Sequence, residues 1–336
     1  MSIFIIGFDG VFPNKFDVEK LSERSQSQFI SGTIDLDLDA EFLPHRSDEK
    51  IMRSDIKVSV VSIRKILKDI GLDASESIEK MALFVANGAF ISDTQRYMKR
   101  ISIYKTFPDD ISEEEKLYKI YRASPPLLAL ETLTNSSMSF IAQYTGVKGN
   151  NTTYGNTSLS AYYAVQEAIE TLKKDSNTNA IICASNAGGV YSFLSNSAVV
   201  GYKKGWKESA AIGNLVLSKK SENAFCKITK MSTGINIPNL GDQTIHRTWS
   251  TIVPSDAQCV IYSGAFCEQT SKLDRLYCEK FFKKSLSLFA DAGNMGSSNL
   301  IMGMIKGINL LKEIPFVDIV DRDVYGRESH IRIEKC

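Results

Sequence analysis

One pattern occurs twice in this chain, in the same order, and little else in the sequence narrows its possible folds as much. Residues 82–90 are an apolar run ending Asn-Gly-Ala-Phe, and residues 259–266 are an apolar run ending Ser-Gly-Ala-Phe. Each is followed later by a Gly-Asn pair, Gly155-Asn156 and Gly293-Asn294, that leads into an apolar helical pattern. Strands this apolar are normally covered on both faces. A strand, a turn and a later glycine-led helix, repeated in order, read as an internal duplication with more sequence inserted in the first copy.

The rest of the chain fits around these two copies. Residues 2–8, SIFIIGF, read as a strand closed by the turn signal Asp9-Gly10. Residues 12–54 read as a polar, irregular surface excursion. Residues 56–70 carry Val58, Val61, Ile63, Ile66, Leu67 and Ile70 largely on one side of a helix that Gly71 stops. Residues 91–121 have a charged helical pattern, Ser124-Pro125-Pro126 breaks it, and residues 127–144 are helical again. Residues 179–184 read as a buried strand, followed by a small-residue turn from Ser185 to Gly189. Residues 209–218 and 224–232 read as strands that could pair. Residues 271–289 and 300–311 are helical, and residues 315–320 and 329–334 close the chain as strands. Strands alternating with helices predict an α/β fold with a layered, largely parallel sheet.

The stretch from Gly149 to Ala168, GNNTTYGNTSLSAYYAVQEA, organises the first copy. Ala161, Ala164, Val165, Ala168, Ile169 and Leu172 recur at helical spacing, with Asn156 or Thr157 as the N-cap and Ser158 in or near the first turn. A helix start offers unpaired N–H groups and a partial positive charge, which suits a nucleophile that develops negative charge. An ordinary capped helix with a small serine fits the same residues.

Composition excludes several classes. The 336 residues are 43% hydrophobic and 24% charged, with a formal net charge of +1. No charge excess points to nucleic acid or a membrane surface. The first residues lack a cationic leader and no apolar run is long enough to span a bilayer. Six cysteines without a C-x-x-C pair, and only three histidines, argue against a zinc site. No cofactor or metal is expected, and the reading is of a reduced, cytoplasmic protein.

A duplicated α/β chain with a buried helix at the centre of each half resembles the thiolase fold, a layered αβαβα architecture. Residues 1–220 and 221–336 would be its two halves, forming one compact unit. The residues are most similar to the ketosynthase branch, the condensing enzymes of fatty acid and polyketide synthesis. Gly149-Asn150-Asn151-Thr152, then Thr157-Ser158, resembles the G-P-N-T segment and the cysteine that opens the central helix. Ser124-Pro125-Pro126-Leu127-Leu128 resembles the N-P segment before it. Phe266 to Asp274 matches H-G-T-G-T-P-L-G-D without gaps, Ala292 to Asn299 matches G-H-T-x-G-A-A-G, and Val324 to Arg327 weakly matches the closing G-F-G-G.

The departures bear on function. The resemblance puts Ser158 at the cysteine position, Phe266 at the first histidine, Gly293 at the second and Leu288 at the lysine. A serine needs an adjacent base, and nothing in the sequence places His45, His246 or His330 beside it. Without those groups decarboxylation has no proton-transfer means. The resemblance therefore implies a chain-length factor, or ketosynthase-beta subunit, of a bacterial type II polyketide synthase of the aromatic or aryl-polyene kind. Such a subunit pairs with an active ketosynthase, meets an acyl carrier protein and helps shape the acyl tunnel. Many such factors carry glutamine at the cysteine position, and Ser158 departs from that. The alternative is a Ser158-dependent acyltransferase or hydrolase on the same fold. Tyr162 and Tyr163 are candidates for the tunnel, and Ile182 and Cys183 for the partner interface, which the resemblance places on the strand at residues 180–184.

Overall fold

The computed structural model describes residues 2–20, 28–34, 38–49, 51–73, 77–88, 106–108, 110–123, 133–155, 157–174, 178–235, 249 and 251–336. The expected Ser124-Pro125-Pro126 break, Asn156, His246, and parts of the helical patterns at 91–121 and 127–144 lie outside them.

In chain order the elements are β1 (Ile3–Val11), β2 (Lys15–Lys20), β3 (Gln28–Thr33), α1 (Arg46–Glu49), α2 (Ser54–Asp69) and β4 (Ala82–Asn87). Then come α3 (Glu113–Ala123), α4 (Ser136–Thr145), β5 (Asn151–Gly155), α5 (Leu159–Lys174), β6 (Asn179–Asn186) and α6 (Gly189–Val200). β7 (Trp206–Ser209), β8 (Ala211–Ser218), β9 (Cys226–Ile235), β10 (Cys259–Tyr262) and α7 (Glu268–Phe281) follow. The last are β11 (Lys284–Ser287), α8 (Leu288–Ala292), α9 (Asn299–Leu310), β12 (Phe316–Arg322) and β13 (Arg327–Glu334).

The duplication is written in the sheet. Its order is β11-β10-β12-β13-β9-β1-β8-β6-β4-β5, so β1 and β9 meet at the middle. Outward from β1, pairing runs antiparallel to β8 and β6, then parallel to β4 and β5. Outward from β9 it runs antiparallel to β13 and β12, then parallel to β10 and β11. The same connectivity thus occurs twice. The sheet is mixed rather than largely parallel, because the last strand of each half, β8 or β13, runs antiparallel to both its neighbours and β1 meets β9 antiparallel. The strands at 209–218 and 224–232 do not pair with each other; β1 lies between them.

Side-chain alternation builds five layers. On β4 and β6, Ala82, Phe84, Ala86, Ala180, Ile182 and Ala184 face a central core that holds α5 and α9. Leu83, Val85, Ile181 and Cys183 face the opposite way, onto Ile56, Val60, Ile63 and Leu67 of α2 and Ile141 of α4. In the second half, Ile261, Val317 and Ile319 face the central core. Val260, Tyr262 and Val320 face Trp249 and Tyr277 and Cys278 of α7. This is a duplicated αβαβα fold with two buried central helices.

Three local expectations are corrected. Residues 271–289 are not one helix, since α7 ends at Phe281 and Lys284–Ser287 form β11, paired with β10. Asp9-Gly10 does not end β1; the strand continues with Asp9 opposite Asn214 and Gly10 opposite Gly213. Gly10 is there for space: a Cβ would lie 2.7 Å from Ile305 and 3.1 Å from Met302 of α9. Residues 12–54 are not wholly irregular either, since β2 and β3 pair antiparallel and β3 adds β7 in parallel to make a second, three-stranded sheet.

Candidate functional site

The starts of α5 and α9 and the ends of β6 and β12 converge on one cavity of about 220 Å³. The α5 side supplies Thr157 and Ser158, and the α9 side supplies Asn294, Gly296 and Ser297. Asn186 ends β6, and Arg322 and Asp323 stand at the end of β12. Gly88 and Gly264, the glycines of the two duplicated turns, line it from opposite halves. Ser192, Ser195 and Asn196 of α6 and the loop residues Val324 and Tyr325 complete the wall.

The wall is polar, and Glu208 holds part of it. This carboxyl is fully buried on β7. It accepts from Ser192 Oγ at 3.0 Å, Asn196 Nδ2 at 2.8 Å, Trp206 Nε1 at 2.9 Å and Asn294 Nδ2 at 3.2 Å. Burial pushes its pKa up, and these four donors oppose the shift. Three of them line the cavity, so one carboxyl fixes residues from α6 and from the loop before α9.

A second group of buried ionisable side chains comes from β12, β13 and α7. Arg322 Nη2 donates to Asp274 Oδ2 at 3.0 Å, while its Nη1 has no hydrogen-bond partner among the described residues. Burial pushes Asp274 up to about 6, with Arg322 opposing. Burial raises Glu328 to about 8, with Arg322 opposing and Asp274 reinforcing. Asp321 takes a hydrogen bond from Ser263 Oγ at 2.8 Å, and burial pushes it up to about 7.

Ser158 sits where the sequence put it, immediately before α5. It is 6% exposed, and its Oγ is buried without a hydrogen-bond partner among the described residues. The Ser158 hydroxyl opposes the rise of the Asp321 pKa, but no hydrogen bond of ordinary geometry joins the two. The neighbouring turn is closed by Ser160 N donating to Thr157 O and Ala161 N donating to Ser158 O.

The other aligned positions carry no proton-transfer group. Phe266 is buried and packs against Trp206 with ring centroids 4.8 Å apart. Leu288 is fully buried in the central core. Gly293 has φ +76°, and a Cβ there would lie 2.6 Å from the Lys207 side chain and 3.0 Å from its carbonyl. A side chain at that position meets both backbone strain and a steric block. Gly293→His should therefore destabilise the chain by about 1–3 kcal/mol. Chemical denaturation checks this, and a variant as stable as the parent would contradict it. His45 bonds Ser47, and His330 is buried between Asp318 at 2.7 Å and Ser232 at 3.0 Å, so neither lines the cavity.

The tunnel and interface candidates also lie elsewhere. Tyr162 is buried in the central core, and Tyr163 is 40% exposed and tilts against Tyr154 of β5. Ile182 and Cys183 are fully buried, and burial pushes the Cys183 thiol up to about 12. Their strand is not an open edge, because β4 and β8 occupy both its sides. The described edge strand of this half is β5.

Glu208, Asp321, Arg322 and Asp323 escaped the sequence reading. The one available signal was Asp-Arg-Asp directly after an apolar strand, where charge is unusual unless it is paired.

No family model matches the chain, and no curated protein matches its sequence. Solved structures do match its fold. A type II polyketide synthase structure, an acyl-carrier protein in complex with its ketosynthase bound to the hexaketide, aligns over 100% of this chain and 99% of its own, with TM-score 0.74 and 11% identity. The ketosynthase from module 6 of the bacillaene synthase of Bacillus subtilis aligns over 100% of this chain and 71% of its own, with TM-score 0.67 and 14% identity. A Streptomyces albus oxazolomycin ketosynthase domain aligns over 100% and 76%, with TM-score 0.71 and 11% identity. By its layers, its repeated sheet and these likenesses, the chain is a thiolase-fold protein built like the ketosynthases of polyketide synthases.

Proposed function

We propose that this chain is a non-condensing partner of an active ketosynthase in a type II polyketide system, a subunit of the chain-length-factor kind. The observation that carries the reading is the chemistry at the aligned catalytic positions. Phenylalanine, glycine and leucine stand where two histidines and a lysine would be needed, and the geometry leaves Gly293 no room for a side chain. A condensing site must remove carbon dioxide from an extender and stabilise the resulting carbanion, and none of these residues holds or moves a proton. Residues 1–220 and 221–336 are read as the halves of one unit, and the acyl carrier protein as the donor of the growing chain. Among the described residues no helix is long and apolar enough to cross a membrane. That agrees with a cytoplasmic site of action.

The contact with the ketosynthase is assigned to β5 rather than β6. β5 ends the ten-stranded sheet, its Asn151 and Thr152 are exposed, and Tyr163 lies beside it. An uncovered strand edge favours pairing with another chain. A stable subunit pair of this kind buries roughly 2,000 Å² or more.

Co-expression with a candidate ketosynthase, followed by size-exclusion chromatography, tests the assignment. The expected result is a mixed pair that condenses acyl units, whereas this chain alone gives no decarboxylation of malonyl carrier protein and no condensation product. A homodimer or monomer that ignores the ketosynthase, or product from the chain alone, would overturn it.

A further inference from the structure

We propose that His330 and Ser232 form a pH-sensitive clamp, in which the proton on His330 Nδ1 decides how firmly residues 249–257 are tied to the sheet. This goes beyond a partner role and uses no residue that lines the cavity. His330 is 1% exposed at the middle of β13, opposite Ser232 of β9 on one side and Val320 of β12 on the other. Its Nε2 lies 2.7 Å from Asp318 Oδ1, and its Nδ1 lies 3.0 Å from Ser232 Oγ. Ser232 Oγ in turn donates to the Ile252 carbonyl at 2.9 Å.

Counting donors and acceptors makes this arrangement a switch. Asp318 accepts from Arg332 Nε and Nη2, both at 2.9 Å. A carboxylate so held offers only acceptors, so His330 Nε2 carries a hydrogen in either charge state of the ring. Nδ1 is then the atom that gains or loses the proton. With the proton on, Nδ1–H donates to Ser232 Oγ, the hydroxyl donates to the Ile252 carbonyl, and every contact is made. With the proton off, Nδ1 and the Ile252 carbonyl are both acceptors competing for one hydroxyl hydrogen. One contact is lost, and a buried acceptor left without its donor is costly. Arg332 also donates to Asp256 at 3.0 and 2.8 Å, so a charged His330 sets two cations against two carboxylates.

The clamped segment packs Trp249, Ile252 and Val253 over Val260, Tyr262 and Val320. Its turns are closed by Val253 N donating to the Trp249 carbonyl at 2.9 Å and Ala257 N donating to the Pro254 carbonyl at 3.0 Å. Its ties to the strands, Ser232 to Ile252 and Arg332 to Asp256, both run into the His330–Asp318–Arg332 group. The duplication shows that the fold does not demand charge here. In the first half β6 and β8 hold the places of β12 and β13, and they present Ile181, Cys183 and Val216 to the covering layer.

The other charged groups on this face are Arg322 of β12, Glu328 of β13, Lys230 of β9 opposite Arg332, and Asp274 of α7. Tyr262, Tyr277 and Cys278 also face it, and burial pushes Tyr262 and Cys278 up, away from neutrality. Glu328, raised to about 8, and Asp274, raised to about 6, titrate in the same range, so the test separates them from His330.

The test follows two signals in the full chain from pH 5 to 9. The first is the ring resonances of nitrogen-15-labelled histidine, with His330 assigned through His45→Gln and His246→Gln. The second is hydrogen exchange of the Val253 and Ala257 amides, expressed as protection relative to an unstructured chain. His330 Nδ1 should lose its proton within this range, and the protection of both amides should fall at least fivefold at the same midpoint. Ser232→Ala should already show the reduced protection at pH 5 and no fall at that midpoint, while its His330 ring still titrates. Ser232→Thr, which keeps the hydroxyl, and Glu328→Gln should both retain the fall. Protection that stays constant while the ring titrates, a ring in one charge state from pH 5 to 9, or an unchanged fall in Ser232→Ala overturns the clamp. If Ser232→Ala does not fold, the parent chain decides, and midpoints of ring and amides that differ by more than about one pH unit overturn it.

Discussion

Ile182→Lys will leave the chain unable to fold, whether or not a partner is present. Ile182 is fully buried, faces the central core and lies on a strand hydrogen-bonded on both sides. An unpaired ammonium there costs several kcal/mol, and a marginally stable domain has only about 5–15 kcal/mol to lose. Insoluble expression or loss of the cooperative unfolding transition is the expected result. Thr152→Arg makes the contrast. Thr152 is exposed on β5, which among the described residues pairs with β4 alone. This variant should fold with stability within about 1 kcal/mol of the parent, as surface changes generally do, yet give less of the ketosynthase pair. A soluble, cooperatively folded Ile182→Lys chain would contradict the burial of β6.

The second large effect is on stability against pH. Glu328 is fully buried, neither of its carboxylate oxygens has a hydrogen-bond partner of ordinary geometry among the described residues, and burial lifts its pKa to about 8. Its folded value is above the ordinary one, so the folded chain binds this proton more tightly than the unfolded chain. The contribution is complete below about pH 4.5 and is lost as pH rises through about 8. Asp321, raised to about 7, and Asp274, raised to about 6, act with the same sign. Between pH 5.5 and 8.5 the parent should lose a few kcal/mol of unfolding free energy, at about 1.4 kcal/mol per pKa unit. Glu328→Gln keeps the shape and removes the ionisation, so its loss should be smaller and it should be the more stable chain at pH 8.5. Urea titrations at the two pH values measure both, and equal stability at both would contradict the assignment.

Much of the architecture was legible because it rests on local rules. Leu83 and Val85 alternating with Ala82, Phe84 and Ala86 announced a strand buried on both faces, and the two faces indeed meet α5 and α2. The spacing of Ala161, Ala164, Val165 and Ala168 announced α5, and the repeated apolar runs before Gly88 and Gly264 marked equivalent strands, β4 and β10, in two halves of one sheet. Strand pairing was less legible. Residues 209–218 and 224–232 looked like a hairpin because they are adjacent in sequence. β1, some two hundred residues earlier in the chain, fills the gap between them, and nothing local encodes so distant a partner.

The site divides in the same way. The sequence by itself determined that Ser158 opens a buried helix and that Phe266, Gly293 and Leu288 bring no proton-transfer group, since these follow from residue identity. Only the tertiary structure decided that β6 is interior and β5 the edge, and that Glu208 ties α6 to the loop before α9. It alone buried Asp321, which accepts a hydrogen bond from Ser263 and which burial lifts to about 7. Periodicity reports which face of an element is buried, but the neighbour across that face is chosen by packing over the whole chain. A carboxylate becomes a base near neutrality only when that packing removes its water.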